Sequence, residues 1–212
     1  MKKAFVVVPS DVEVDPSYDR EIAELSDTVI GHTVTVITRE CVGGAAIVAG
    51  KIVTSIFLVR NDRMVKVILP RGGVLQAVIE KVDEQNHLAE LKPVMATRKD
   101  FDSVSSRKGF RFAVGPIGSV GDALLISDTK SRRPSVIVAG MSYVIRACER
   151  REEDCWKMLT KLPAGLVGGG IWNLEGKFVG LTIGTKKTYH LMESDMMLAL
   201  PAETVMNFAE RN

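Results

Sequence analysis

Residues 165–173 read Gly-Leu-Val-Gly-Gly-Gly-Ile-Trp-Asn, a glycine-rich elbow between two apolar runs. Glycines of this kind permit a tight turn with backbone N–H groups pointing outward, and many proteins place a nucleophile or a phosphate there. Here the tip carries Leu166 and Val167, with no Ser, Cys, Thr, Lys or His in the elbow. No Lys-Ser or Lys-Thr comes after the glycines, which excludes a P-loop. The G-x-G-x-x-G spacing is missing and a strand pattern comes next, which excludes a dinucleotide fingerprint. Thiols and imidazoles do occur elsewhere. Cys41, Cys148 and Cys155, with His32, His87 and His190, supply the residue types for a Cys–His hydrolase, an alternative that rests on those types alone. The three cysteines are odd in number, widely spaced and without a C-x-x-C pair. A disulfide framework or structural zinc is therefore not expected, and no metal or cofactor is implied. Lys130, Arg132 and Arg133, with the basic stretch from Arg107 to Arg111, form clusters that a nucleic-acid-binding module would use. The net charge of +2, from 28 basic and 26 acidic residues, does not favour nucleic acid, and solvated loops are the simpler reading.

The elements that must position these residues are mostly short strands. Thr33–Thr38 alternates Thr with Val and Ile, the period-2 pattern of a half-buried strand. Ala45–Ala49, a turn at Gly50, Ile52–Arg60, Met64–Leu69, a Pro70–Gly73 turn, Val74–Val82 and His87–Lys92 continue the series. A charged stretch, Thr97–Gly109, interrupts it. Strands resume at Phe110–Val114, Ser135–Ala139, Tyr143–Cys148, Ile171–Leu174, Phe178–Ile183 and Met196–Leu200. Helix is expected only as one or two turns at Asp19–Leu25 and in the C-terminal segment. There Pro201 suits a first helical turn and Ala202, Val205, Phe208 and Ala209 share a face. In 212 residues that are 46% hydrophobic and 25% charged, about a dozen such strands imply an all-β chain that buries a real core. Two packed barrels or a sandwich would both satisfy the pattern.

The elbow and its continuation, GLVGGGIWNLEGKFVGLTIGT, resemble the active-site region of trypsin-like serine proteases of the HtrA (Deg) type. That family has a Gly-Asn-Ser-Gly-Gly-Pro-Leu elbow, an Asn-x-x-Gly hairpin and a strand ending in Gly. Gly165, Gly168 and Gly169 keep the family's glycines, while Leu166 stands for the Asn and Gly170 for the Pro. Ile171, Asn173, Gly176, Val179 and Gly180 continue the match. Upstream, GGAAIVAGKIVTSIFLV resembles the Gly-x-Gly-x-Ile strand and the Val-Thr-x-x-His-Val segment. NHLAELK resembles Thr-Asp-Leu-Ala-Val-Leu-Lys, and Gly115, Pro116 and Gly118 resemble the Gly-Asn-Pro-x-Gly turn. LALPAETVMNF looks like the family's final strand and helix. The resemblance runs in order from about Val29 to the C-terminus. It implies two packed antiparallel β-barrels of the chymotrypsin-like kind with a short C-terminal helix. The expected divisions are an N-terminal arm over 1–26, a first barrel over 27–97, a linker over 98–109, a second barrel over 110–200 and a helix over 201–212.

The family's catalytic His, Asp and Ser positions fall here on Phe57, His87 and Val167. Phe57 has no proton acceptor and Val167 no nucleophile, and loss of the nucleophile alone costs about a million-fold in turnover in a comparable triad. The expectation is a chain that is not an enzyme, a pseudoprotease with a structural, assembly or protein- or peptide-binding role. An open cleft would grip a peptide through the backbone N–H groups of Gly165 and Val167, with Leu181, Thr182 and Ile183 as the pairing edge. In the alternative, Phe57 and Val167 fill the cleft, contributing about 1.5–3 kcal/mol per buried side chain. The arm over 1–26, polar and outside the match, is expected to dock on another subunit. The opening apolar run is cut by Pro9 and succeeded by Asp11, Glu13 and Asp15, unlike a signal peptide, and no run has the length of a membrane span. A soluble intracellular chain, alone or within a larger assembly, is the resulting expectation.

Overall fold

The computed structural model describes residues 3–9, 19–70, 73–94, 123–129, 135–146, 166–185 and 197–211. The chain is mostly β, with a short C-terminal helix. Six strands make the first sheet: β2 (Thr33–Ile37), β3 (Val42–Val48), β4 (Lys51–Ser55), β5 (Met64–Ile68), β6 (Val74–Asp83) and β7 (Leu88–Pro93). They pair antiparallel in the order β2-β3-β4-β7-β6-β5, and β5 returns to β2 to close the ring. The second sheet contains β1 (Lys3–Pro9), β8 (Ala123–Asp128), β9 (Ser135–Arg146), β10 (Gly170–Asn173), β11 (Phe178–Thr185) and β12 (Met197–Pro201), in the cyclic order β1-β12-β11-β10-β8-β9. Among the described residues the helices are α1 (Asp19–His32), the four-residue α2 (Ile56–Val59) and α3 (Ala202–Glu210).

Strand periodicity explains why the two sheets meet. In β3, Ala45 and Ile47 point into the first ring with Ile52, Val67 and Leu91, while the alternate residues Ala46 and Val48 belong to the other core. That second core fills the second sheet with Trp172, Phe178, Leu125 and Ile126, and reaches across to Val53 and Leu88 of the first. Both faces of β3 and β4 are thus buried, which accounts for their near-continuous apolar sequence. Helix α3 covers the junction, touching β11 and β12 on one side and β3, β4 and β7 on the other. Lys81 of β6 donates to the terminal carbonyls of this helix, at 3.0 Å to Phe208 and also to Arg211, and stands 5.0 Å over the Phe208 ring. A cation there complements the negative end of the helix.

Local chemistry sets the turns. Ala49 and Gly50 both take positive φ, 50° and 75°, as a two-residue hairpin joining Val48 to Lys51 requires. The Asn173 side chain accepts from the N–H groups of Glu175 and Lys177, fixing the β10–β11 hairpin.

Four expectations are corrected. Ile52–Arg60 is not one strand: it breaks after Ser55, whose side chain accepts from the Phe57 N–H at 3.2 Å and starts the α2 turn. The predicted one or two turns at Asp19–Leu25 extend to His32, where Thr33 returns its hydroxyl to the Val29 carbonyl at 2.8 Å. The N-terminal arm is not free of the core. β1 pairs with β9 from Lys3↔Arg146 to Pro9↔Ala139, and with β12 at Phe5↔Ala199 and Val6↔Leu198. Ser135–Ala139 and Tyr143–Cys148, expected as two strands, are one strand that ends at Arg146. The linker over 98–109 and the strand at Phe110–Val114 lie outside the described residues.

Removing residues 1–9 takes one strand from the closed second sheet and exposes the edges of β9 and β12. The truncated chain is expected to lose its cooperative thermal transition or to melt well below the full chain by circular dichroism. An unchanged midpoint would make the segment a dispensable arm.

Candidate functional site

The elbow rests on the first sheet, backbone against backbone. The Gly44 N–H donates to the Val167 carbonyl at 2.7 Å, and the Thr54 hydroxyl donates to the Gly44 carbonyl at 2.7 Å. A Cβ on Gly44 would stand 2.8 Å from the Cα of Gly169, and one on Gly43 would stand 2.7 Å from the Val167 oxygen. Gly168, at φ +80°, occupies the left-handed region, and a Cβ there would run into the Gly44 carbonyl and the Thr54 hydroxyl. Both ends of the elbow are tied to β11. The Gly168 N–H donates to the Thr182 carbonyl and the Thr182 N–H to the Gly169 carbonyl, each at 2.8 Å. The buried Thr182 hydroxyl is shared between the carbonyls of Leu166 and Gly169.

This joint brings together residues far apart in sequence. Phe57 lies in the first turn of α2, and its ring lies 4.8 Å from the His87 ring, centroid to centroid, at 41°. Val167 and Phe57 are both half-buried and pack on the same core, that of the first sheet. Leu58, beside Phe57, and Val167 both close on Gly43. His87 is held at φ 54°, unusual for a residue with a Cβ, and its carbonyl accepts from the Ile56 N–H at 2.9 Å. That bond locks the start of β7 to the start of α2. Desolvation of the half-buried imidazole pushes its pKa below the usual histidine value, with Glu84 and then Asp83 opposing the shift. Phe57 and His87 are thus in ring contact, Phe57 and Val167 pack on one core, and all three are half-exposed; of the three, only His87 carries a group that can exchange a proton.

Other predicted positions fare differently. Leu181, Thr182 and Ile183 do not offer a free edge. Leu181 is paired with both Gly170 and Leu200, Thr182 has given its N–H and C=O to the elbow, and the Ile183 carbonyl accepts from the Ser55 hydroxyl at 2.5 Å. All three side chains are fully buried. Gly165 lies outside the described residues, and the carbonyl of Val167 is turned to Gly44. Cys41 is exposed in a turn against the Thr38 hydroxyl, and the Nδ1 of His32 meets the Thr28 carbonyl at 2.6 Å. Cys148, Cys155, His190, Lys130, Arg132 and Arg133 lie outside the described residues. Among the described residues no group of three or more metal-ligating side chains comes together, and no helix is long and apolar enough to cross a membrane. The contact that sequence reading missed is Arg60, whose guanidinium lies 5.6 Å over the Phe57 ring. Its place three residues after Phe57 becomes informative only once that stretch is known to be helical.

The same architecture occurs in solved structures. Rv3671c from M. tuberculosis H37Rv, crystallised as a serine-to-alanine mutant in an inactive form, matches with a TM-score of 0.65 at 14% identity over 96% of this chain and 95% of its own. A second Rv3671c protease structure, also in an inactive form, matches at 0.64 with 15% identity, covering 96% of each chain. The serine endoprotease from Yersinia pestis matches at 0.62 with 20% identity over 93% of this chain and 67% of its own. This is the fold of the trypsin-like serine proteases. No family model matches the chain, and no curated protein matches it either. The expectation that the chain is not an enzyme is corrected by these neighbours. They are serine proteases, and the inactive state among them includes an engineered mutant, so it lends no support to an inactive reading of this chain.

Gly168→Ala is expected to cost about 3 kcal/mol or more in urea denaturation, because left-handed strain and a backbone collision coincide. Gly50→Ala, at similar φ but with nothing within 4 Å, should cost only about 1–2 kcal/mol. Equal costs would mean that the elbow is no tight joint. The lowered pKa of His87 means that its folded form binds fewer protons than the unfolded chain. Its contribution is present above the unfolded value of about 6.5 and is lost as pH falls through the folded value. Stability should therefore drop on acidification below that pH, and His87→Gln should flatten part of the drop in denaturant melts recorded from neutral to acid pH.

Proposed function

We propose that the chain is a protein- or peptide-recognition domain on a two-barrel, chymotrypsin-like scaffold, and that it binds its partner over the face of Phe57, His87 and Val167. The observation that carries the reading is the ring contact of Phe57 and His87, 30 positions apart, together with the packing of Phe57 and of Val167, 80 positions beyond His87, on one core, with all three half-exposed. Aromatic and aliphatic side chains held rigidly and partly open to water are the usual anchors of protein interfaces. Rigid presentation matters because no ordering cost is added on binding. The fold supports the same reading: its solved neighbours are proteases, proteins that recognise polypeptide chains. Strand addition along Leu181–Ile183 is not part of the proposal, because those backbone groups are already bonded within the chain.

Panning a random peptide library on the purified chain is expected to enrich peptides that lose tenfold or more in affinity for the Phe57→Ala and Val167→Glu variants, about 1.4 kcal/mol or more. Peptides that bind the variants as tightly as the parent, or a library that yields none, would overturn the proposal. Release of fluorescent fragments from labelled casein, followed in parallel, reports turnover independently of this result.

A further inference from the structure

We infer that the segment bound on the Phe57 face carries an apolar anchor with carboxylates on one side of it, and that Arg60 and Arg63 set this preference; the inference rests on the reading of that face as a recognition site. The charges around Phe57 are distributed unevenly. Arg60 is exposed, lies over the Phe57 ring at 5.6 Å and, among the described residues, pairs with no carboxylate. Arg63, in the same loop, is also exposed and without a carboxylate partner among those residues. The carboxylate of the loop, Asp62, is unavailable to either. It is 5% exposed and bonded at 2.7 Å to Nε of Arg39, whose Nη2 reaches the Asn61 carbonyl at 2.6 Å. Arg39 therefore neutralises Asp62 and braces the loop, while its own side chain stays 78% exposed. Glu40 is the exposed acid next to it, so the two loops hold three cations against two carboxylates, one of them buried.

Beyond His87 the sign reverses. Asp83 and Glu84 stand close enough to act on the imidazole, and Asp83 is fixed in its turn by bonds from the N–H and side-chain amide of Asn86. Arg60 lies over Phe57 and Phe57 is in ring contact with His87, whose own turn carries Glu84 next to Asp83 at the end of β6. A guanidinium binds a carboxylate bidentately, and Arg60, stacked on an aromatic ring, is partly oriented for it. The acids past His87 would repel a carboxylate placed there, so the two ends together fix the direction of an extended peptide as well as its charge.

Two peptides share one Phe-Leu core, one with Glu residues on a single flank and the other with Gln in their place, and fluorescence polarisation compares them on the intact chain at low and at high salt. The Glu-flanked peptide is expected to bind about fivefold tighter or more at low salt, with the margin shrinking as salt rises. An Arg60→Glu/Arg63→Glu variant, with its thermal midpoint checked against the parent, is expected to reverse the preference, and Phe57→Ala to weaken both peptides. Equal binding of the two peptides, or a preference untouched by the double variant, overturns the charge assignment and leaves the recognition face standing. Failure of both peptides to bind overturns the assignment too; the recognition face falls with it only if the library panning on the parent chain also yields nothing.

Discussion

The contact of Gly43 and Gly44 with the Val167–Gly169 elbow is the constraint on which the remaining structure depends. Two backbones approach here to distances that no side chain tolerates, and the backbone groups at the contact are satisfied by each other and by Thr54 and Thr182. A buried backbone amide left without a partner costs about 1–3 kcal/mol, so this set of bonds is a joint that closes completely or fails. Because the joint unites the two sheets, it also decides which surfaces meet. It seats Val167 on the core of the first sheet and puts it beside the α2 turn that carries Phe57.

A second lock acts at the other side of the face. The Ser55 hydroxyl gives its proton to the Ile183 carbonyl of the second sheet and accepts the Phe57 N–H, so one side chain both bridges the sheets and starts α2. The His87 carbonyl then takes the Ile56 N–H, which draws the β6–β7 turn against the same helix. Phe57 is thus positioned from two directions by groups that are not part of the face. The arrangement resembles the way active sites are held, with the side chains in contact with solvent and the ones that orient them buried. Here the oriented groups are a ring, an imidazole and an isopropyl group.

Much of the architecture was legible in the sequence because short strands with period-2 patterns and turn residues announce themselves locally. Thr33–Thr38, Met64–Leu69 and Phe178–Ile183 were readable for that reason, and so was the amphipathic C-terminal helix. The elbow was recognisable from its glycines. What local pattern could not carry was long-range pairing. The run Lys3–Pro9 has no alternation, and the residues it pairs with lie 130 or more positions away, so it reads as an arm. Ile52–Arg60 is mostly apolar, and only the tertiary bond from Ser55 to Ile183 shows why the strand stops where it does. The left-handed backbone of His87 likewise follows from its bond to Ile56, not from the residue itself. For the site, sequence matching selected three positions, of which Phe57 and His87 touch and Phe57 and Val167 pack on one core. It did not anticipate that Thr182 and Ile183 would be occupied, since hydrogen-bond use is invisible before the fold is known.

If the face of Phe57, His87 and Val167 is the place where a partner is felt, its signals must respond first. Amide and aromatic chemical-shift mapping by NMR, on titrating the isotope-labelled chain with a bound peptide, tests that most directly. The largest perturbations are expected at Phe57, His87, Arg60 and Val167, with Leu181–Ile183 and the strands of the far barrel wall little changed. Saturable binding that leaves those four signals in place and moves a different surface would contradict the assignment.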